Sequence, residues 1–409
     1  NQSQIKKILS NRGYSVYYGE IIMNLIDTTE KLAQFCEILN TQSFITVDSE
    51  FIRERTYYPK LCLLQLGYDG GAAIVDPLAK GLDLSPFFAV LDNPNIVKVF
   101  HAGRQDIEIF YNLTGKIPAN VFDTQIAAMV CGFAENIGYG NLVQAITGVE
   151  LDKSCRLTDW SIRPLDENQL VYALHDVTYL VDCYKYLHQK MAAENRLHWI
   201  DEETAALCDE HCYHVNPDDA WMRIRHNVHS QHFLSALKYL AAWRENKAQK
   251  CDTPRSGILK DDVLLNIAST FPKTLDELKQ VRNLKADVIK GKLGGEIMEA
   301  LQQARQNPIS TELCRQDRKK EVSVPNHEQS LFEMLRMLLK IKSLECGVSA
   351  RLIATDADLR FIILNQPQNT STLQGWRFEV FGADAQKLCR GKLAISYNPA
   401  KKRIDVKEV

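Results

Sequence analysis

The chain has 409 residues, of which 45% are hydrophobic and 24% charged, and its formal net charge is −2. This length predicts roughly two to four domains, because single cores stop growing at about 250–300 residues. This net charge is not that of a strongly basic chain, so it does not by itself indicate nucleic-acid binding. A local basic surface is still compatible with a total charge near zero. No apolar run reaches the roughly 18 residues that span a bilayer, and no secretory signal is evident, so a cytoplasmic protein is expected.

Cysteine usage predicts a reducing compartment. The 11 cysteines are mostly scattered singly, often inside apolar stretches, as is typical of buried free thiols. One short cluster contains Cys208, His211, Cys212 and His214. A structural zinc site usually takes two ligand pairs separated by a longer loop, and no second pair is evident here. We therefore interpret the cluster as incidental and assign no metal to it.

The first half of the chain predicts an α/β domain. Residues 1–23 are of mixed polarity, and form either a helical extension or sequence upstream of a start at Met23. Residues 24–200 then alternate apolar strands with helices, which favours a sheet covered on both faces. A hairpin across Gly70–Gly71 is predicted to join the second and third of the four strands. The four predicted strands are Phe44–Val47, Leu61–Leu66, Ala72–Val75 and Asn95–Phe100.

The second half predicts helices. Residues 215–306 are expected to form one helical domain, which begins with a long amphipathic helix over His229–Lys250. Residues 307–328 are polar, contain two prolines and are typical of a linker. Residues 329–409 are expected to form a second small helical domain. Its tail, from Ile395 to Val406, is either a small hairpin or a frayed end.

Four carboxylates occupy positions where a core residue is expected. Asp48 and Glu50 end the first strand, and alternate strand residues project from one face. Asp106 lies on the apolar face of a predicted helix. Asp176 shares a helix face with apolar residues, and Tyr172, four residues earlier, stacks on the same face. The pattern brings acidic side chains to buried positions in three separate elements.

Two interpretations of these acids differ in their chemistry. Any single one of them is explained by pairing with an arginine, by capping a helix, or by exposure to solvent. Together, several buried carboxylates would repel one another unless divalent cations lie between them. Carboxylate oxygens are the ligands that Mg²⁺ and Mn²⁺ prefer, and two ions about 3.5–4 Å apart can promote phosphoryl displacement. Tyr172, with a reference pKa near 10, suits orienting a water better than deprotonating it, unless it is simply a core tyrosine.

The ordered motifs resemble the ribonuclease D family, within the tyrosine subclass of the DEDD exonucleases. A lone Asp-x-Glu is uninformative, but the complete ordered set is specific. The resemblance implies an RNase H-like exonuclease domain with a mixed sheet. The residues that carry it are Val47–Phe51, Tyr57–Leu66, His101–Asp106, Asp159–Leu165 and Tyr172–Val177.

The helical half resembles two helicase-and-RNase-D C-terminal (HRDC) domains. In that family they follow the exonuclease domain. The second match is weaker than the first. The supporting segments are Pro254–Arg255 and Ile258–Asp262 in the first, and Ala350–Thr355, Asp358–Leu359 and Gly375–Arg377 in the second.

The resemblance also implies a reaction and its residues. Asp48, Glu50, Asp106 and Asp176 would hold two divalent ions, Mg²⁺ or Mn²⁺. Tyr172 and Glu50 would position the attacking water. The expected activity is 3′→5′ trimming of RNA, especially precursor tRNA and other small structured RNAs, with release of nucleoside 5′-monophosphates. A monomer without membrane partners is expected.

RNA also requires a basic and aromatic route to the site. Phe51, Arg53 and Tyr57 follow the first motif, and Arg255 and Lys260 belong to the first helical domain, so we predict that these five contact RNA. Further cations in the same regions are Arg55, Lys60, Arg244, Lys247 and Lys250. The alternative is a solvated charged face with packed aromatic residues. Two other functions stay open at this point: a DNA-directed 3′→5′ exonuclease and a non-catalytic RNA-binding scaffold.

Overall fold

The computed structural model describes residues 25–152, 154–285, 291–310, 312–313 and 324–409. They fall into two compact units: the first contains the described residues of Asn1–Glu50, Cys62–Cys208 and Val322–Val409, and the second contains those of Phe51–Leu61 and Asp209–Glu321. The predicted extension 1–23 and much of the predicted linker 307–328 lie outside the described residues. No helix in the described part of the chain combines the length and apolar character needed to cross a membrane.

A six-stranded mixed sheet forms the centre of the first unit. The strands lie in the spatial order β1-β4-β3-β2-β5-β6. β1 is parallel to β4, β5 is parallel to both β2 and β6, and β3 and β4 form the predicted antiparallel hairpin. The mixed sheet confirms the expected architecture. The strands are β1 (Leu25–Ile26), β2 (Phe44–Ile52), β3 (Lys60–Tyr68), β4 (Gly71–Val75), β5 (Val97–Phe100) and β6 (Val121–Asp123).

Helices pack around this sheet because its strands are apolar on both faces. Every residue of β3 from Leu61 to Gly67 is buried, a pattern typical of a strand covered on two sides. The helices are α1 (Thr29–Leu39), α2 (Ser85–Asp92), α3 (Arg104–Thr114), α4 (Thr124–Val130), α5 (Tyr139–Thr147), α6 (Glu167–Ala193) and α7 (Leu197–Leu207).

The long helix α6 is fixed over the sheet at its start and along its length. Asp166 and Gln169 form a reciprocal capping box that satisfies two backbone N–H groups at the helix start. Further along, the Thr46 hydroxyl on β2 donates to the Val177 carbonyl oxygen at 2.9 Å. Gly67 on β3 is required there, because a Cβ would lie 2.4 Å from the Thr46 Oγ1 atom. α6 therefore lies close against β2 and β3.

The C-terminal segment shares a hydrophobic core with helices α4, α5, α6 and α7 of the same unit. Trp199 of α7 stacks on Trp376 with ring centroids 4.3 Å apart, and Arg377 forms a salt bridge to Glu203 at 2.5 Å. Trp376 is thus a core residue. The helices of this segment, numbered in chain order along the whole molecule, are α13 (Gln329–Cys346), α14 (Ala350–Ile353), α15 (Asp356–Ile363), α16 (Gly375–Arg377) and α17 (Ala383–Cys389).

This segment is not entirely helical, so the all-α expectation for residues 329–409 is corrected. It ends in an antiparallel hairpin of β7 (Leu393–Asn398) and β8 (Arg403–Glu408). The physical reason is the alternation of apolar and polar residues on both sides of a turn that contains Pro399. Of the two forms left open for the tail, the hairpin is the one observed.

The second unit is a helical domain with its own core. The predicted amphipathic helix is present as α8, and its apolar side packs with the helices that follow it. The helices are α8 (Gln231–Lys250), α9 (Arg255–Ile258), α10 (Asp261–Thr270), α11 (Leu275–Lys279) and α12 (Lys292–Gln306).

A buried carboxylate organises one side of this unit. Glu245 of α8 is 1% exposed and accepts hydrogen bonds from Tyr57 and from Arg255, whose Nε lies 2.5 Å away. Asp252 accepts the backbone N–H groups of Tyr57 and Tyr58 at 3.0 Å each. The segment Phe51–Leu61 is therefore fastened to the helices of its own unit by several hydrogen bonds.

Candidate active site

Three carboxylates meet between β2 and α6. One ligand oxygen from each of Asp48, Glu50 and Asp176 lies within 4.8 Å of the others. Asp48 and Glu50 reach this point because they alternate along β2, and Asp176 reaches it because α6 packs against the same face. The shared face predicted from the sequence is thus observed.

Asp106 is buried nearby, in the first turn of α3, and its carboxylate is hydrogen-bonded to a residue of β2. The Ser49 hydroxyl donates to the Asp106 carboxylate. Ser49 alternates with Asp48 and Glu50, so its side chain leaves the opposite face of the strand. The charge of Asp106 still raises the pKa of Glu50. The structure brings the fourth acid within electrostatic range of Asp48 and Glu50, while its oxygen lies outside the 4.8 Å cluster.

The cluster carries uncompensated negative charge. Burial, together with the charge of Asp176, raises the pKa of Asp48 well above its usual range. Burial and the neighbouring Asp48 likewise raise the pKa of Asp106. Burial and three neighbouring acids raise the pKa of Glu50 to about 9, and burial raises the pKa of Asp176 to about 7. Mutual repulsion at this site would be relieved by bound cations.

Tyr172 lies beside the acids, as the four-residue spacing predicted. Its hydroxyl donates to Asp176, which opposes the rise in the pKa of that carboxyl. Burial and the nearby Asp176 raise the pKa of the Tyr172 phenol itself. The phenol therefore stays protonated at neutral pH and can act as a hydrogen-bond donor. Its ring packs near the buried Trp160, with centroids 6.0 Å apart.

Arg156 is a residue that the sequence analysis did not identify. Its side chain is exposed, yet its charge lowers the pKa of both Glu50 and Tyr172. It therefore presents a cation to the site from the segment before α6. A single arginine in a polar loop carries no spacing signal, so sequence alone offered no means of finding it.

His101 and Asp123 build the turn that starts α3. The two ring nitrogens of His101 lie 2.9 Å from the Thr124 Oγ1 atom and 3.0 Å from the Ile137 carbonyl oxygen. Asp123 accepts the backbone N–H of Gly103 at 2.8 Å. His101 is thus a structural residue, and this turn fixes the start of α3, the helix that carries Asp106.

A cavity of about 240 Å³ extends along α6 from Tyr172. Tyr172, His175 and Tyr179 line it from the helix, and Val149–Asp152, Ser154 and Cys155 line it from the other side. Burial lowers the pKa of His175, so this imidazole is neutral near pH 7. The cavity therefore offers aromatic surfaces and neutral polar groups next to the acids.

The five residues predicted to contact RNA all lie in the second unit. Phe51 is half-buried, whereas Arg53 and Lys260 are exposed. Tyr57 and Arg255 are both partners of Glu245, and the Arg255 guanidinium lies over the Tyr57 ring at 4.9 Å. These two side chains have a structural role, and RNA contact stays a prediction for all five residues.

Two of the further cations do not form part of an open basic route. Arg244 is 4% exposed, donates to the Leu259 carbonyl oxygen at 2.8 Å and pairs with Asp261 at 2.7 Å. Lys247 pairs with Glu296 at 2.9 Å. The inclusion of Arg244 was wrong because it lies on the inner side of α8, where it satisfies a backbone carbonyl.

Comparisons with known proteins define the class. Residues 23–192 match the 3′-5′ exonuclease family model, and residues 233–301 match the HRDC domain. The first match contains all four acids and Tyr172. The chain is therefore a 3′-5′ exonuclease-domain protein with a helical HRDC domain.

The family follows from relatives that cover nearly the whole chain. Ribonuclease D of Jannaschia sp. (strain CCS1) is 43% identical over 93% of this chain and 98% of its own length. The crystal structure of Escherichia coli RNase D, titled an exoribonuclease involved in structured RNA processing, has a TM-score of 0.76 at 30% identity, covering 90% of this chain and 98% of that one. The catalytic core of RRP6 from Trypanosoma brucei has a TM-score of 0.54 at 25% identity, covering 69% of this chain and 79% of that one. This chain belongs to the ribonuclease D family.

Proposed function

We propose that this protein is a metal-dependent 3′→5′ exoribonuclease that trims the 3′ ends of precursor tRNA and other small structured RNAs. The observation that carries the proposal is the convergence of Asp48, Glu50 and Asp176 within 4.8 Å, with Asp106 close by. Full-length similarity to ribonuclease D supports RNA as the substrate class.

The donor set fits two Mg²⁺ or Mn²⁺ ions. All four side chains offer hard carboxylate oxygens. Burial raises the pKa values of all four, and neighbouring acids add to this effect for Asp48, Glu50 and Asp106. Bound divalent ions supply a more acidic water and stabilise negative charge on the leaving oxygen.

The protein side chains contribute orientation and charge. The Tyr172 hydroxyl, held by Asp176, is placed to orient the attacking water together with Glu50. The Arg156 guanidinium suits a phosphate oxygen at the scissile bond, because arginine matches the geometry of phosphate. The cavity beside Tyr172 is lined by aromatic rings of the kind on which bases stack. Hydrolysis of the last phosphodiester releases a nucleoside 5′-monophosphate.

The test is a time course on a tRNA precursor with a 3′ extension and a 5′ label. The wild-type protein in Mg²⁺ should produce a ladder of single-nucleotide steps, and both EDTA and Asp48→Asn should abolish it. Asp92→Asn is the matched control, because this carboxylate lies on the surface in a salt bridge to Lys116 at 2.5 Å. It should leave the ladder unchanged.

Two results would contradict the proposal. RNA binding without shortening in Mg²⁺ or Mn²⁺ would favour the non-catalytic scaffold. Substrates that end in a single deoxyribose or a single ribose distinguish the proposed exoribonuclease from a DNA-directed exonuclease. A strong preference for the deoxyribose end would favour the DNA-directed enzyme.

A further inference from the structure

Gln65 is a buried polar side chain with no partner in the described part of the chain. It lies in the middle of β3 and is 0% exposed. Neither its Nε2 nor its Oε1 atom makes a hydrogen bond to any described residue. An amide buried in this way is costly, and most buried side-chain polar atoms have a partner. The exception requires an explanation.

The strand register places Gln65 opposite Asp48. β2 and β3 are neighbours joined by a short connection, which makes them antiparallel. A Cβ on Gly67 would lie 2.4 Å from the Thr46 Oγ1 atom. The Thr46 Oγ1 atom is one bond from the Thr46 Cβ, so the Thr46 Cβ and a Cβ at position 67 are less than about 4 Å apart. Only residues directly opposite each other on neighbouring strands come this close. Two residues further along each strand, the next opposed pair on this face is Asp48 and Gln65.

This face is the one that carries the acidic cluster. Thr46 donates to the Val177 carbonyl oxygen of α6, and Asp176 of the same helix has an oxygen within 4.8 Å of one from Asp48. Opposed residues on one face have Cβ atoms about 4.5–5.5 Å apart, within the reach of a glutamine side chain. The unpaired amide of Gln65 is therefore adjacent to a carboxylate of the candidate metal site.

We propose that Gln65 is a positioning residue: when metal is bound, its Nε2–H group, which has no partner in the described structure, donates to the Asp48 carboxylate and holds it in its metal-binding orientation. Carboxylates that bind metals are themselves commonly held by outer hydrogen-bond donors. A donor with no other partner is available for this role without breaking an existing bond. The inference rests on the divalent-metal site proposed above.

The test measures two quantities: the unfolding temperature of the metal-free protein and its affinity for Mn²⁺. Gln65→Met and Gln65→Leu remove the amide at similar volume. Relieving an unsatisfied buried group should leave the unfolding temperature of the chelator-treated protein unchanged or higher. The affinity for Mn²⁺, measured by calorimetric titration, should fall about 10–100-fold. A residue with only a packing role would not produce these opposite effects.

Thr204→Val is the matched control, because the Thr204 hydroxyl is also buried without a hydrogen-bond partner in the described part of the chain, on α7, which carries none of the proposed metal ligands. It should leave the unfolding temperature of the metal-free protein unchanged or higher, with Mn²⁺ affinity unchanged. Unchanged Mn²⁺ affinity in both folded Gln65 variants would overturn the inference while leaving the metal site intact. Failure of both variants to fold without metal would also overturn it, because Gln65 would then support the fold itself. Absence of Mn²⁺ binding by the wild type would instead overturn the proposed metal site.

Discussion

Two regions of this molecule bury carboxylates, and they do so in opposite ways. Glu245 in the helical unit is buried with an arginine and a tyrosine hydroxyl. Burial alone would raise its pKa, but the hydrogen bonds from Arg255 and Tyr57 outweigh that effect and lower the pKa. Asp48, Glu50 and Asp176 face chiefly one another, and their pKa values are raised. A buried acid that has its partners is structural, whereas acids that lack them mark a cation site.

The largest expected effect comes from neutralising one member of the acidic cluster. Asp176→Asn should reduce exonuclease activity by more than the roughly 100-fold that is typical of losing an outer-sphere partner, because it removes one of the proposed direct metal ligands. In metal-free protein the same change should raise the unfolding temperature, since it relieves repulsion with Asp48. A ladder assay and calorimetry in EDTA measure the two effects. Retained activity, or a lower unfolding temperature in EDTA, would contradict the contrast with Glu245.

The second prediction removes the cation that compensates Glu245. Arg255→Met leaves the buried Glu245 carboxylate without its ion-pair partner and should lower the free energy of unfolding by about 2–3 kcal/mol. This loss is smaller than that for breaking a fully buried ion pair, because Arg255 is partly exposed. Urea denaturation measures the change. Lys247→Met breaks an ion pair of α8 whose carboxylate, on Glu296, is more exposed than that of Glu245, and it serves as the control with a smaller expected loss. Equal losses in the two variants would show that Glu245 does not depend on its partner.

The third prediction concerns the phenol next to the acids. Tyr172→Phe should lower kcat about 10–100-fold and leave KM for RNA nearly unchanged, because the hydroxyl positions a water and does not hold the substrate. Steady-state kinetics on a short single-stranded RNA gives both constants. Tyr179→Phe, on the same helix and lining the same cavity, is the control and should retain wild-type kcat. A rise in KM as the main effect of Tyr172→Phe would assign the hydroxyl to substrate binding.

The sequence was sufficient for contacts that depend on local periodicity. Asp48 and Glu50 are two residues apart in a strand, and Tyr172 and Asp176 are four apart in a helix, so each pair had to share a face. The β3–β4 hairpin and α8 followed from equally local patterns. Full-length similarity to ribonuclease D then agrees with the family that these motifs resemble.

Contacts between distant segments could not be predicted in this way. The bond from Ser49 to Asp106 depends on how α3 packs against β2, and no spacing specifies it. Arg244 belongs to a run of cations, and only the packing of α8 shows that it points inward. Gln65 falls in an apolar strand, where its sequence neighbours give no sign that both amide atoms lack partners.

The smallest expected effect comes from a buried cation in the sheet. It extends the comparison of the buried carboxylates to a buried group of positive charge. Lys98 of β5 is 0% exposed and donates to the carbonyl oxygens of Asn93 at 2.6 Å and Ile96 at 2.8 Å. Burial lowers its pKa to about 8, below the ordinary value near 10.5. Between these values the unfolded chain binds more protons than the folded one, so this lysine makes the free energy of unfolding increase as the pH rises from about 8 to 10.5.

Lys98→Met should remove this contribution. Other groups titrate in the same range, so the measured quantity is the difference between wild type and variant in the pH dependence of urea unfolding. That difference should grow with pH in favour of the wild type, because only the wild type gains stability from neutralising the buried ammonium. Parallel pH profiles would show that the two carbonyl oxygens compensate the charge fully. Lys98 would then resemble Glu245 as a buried charge satisfied by its partners.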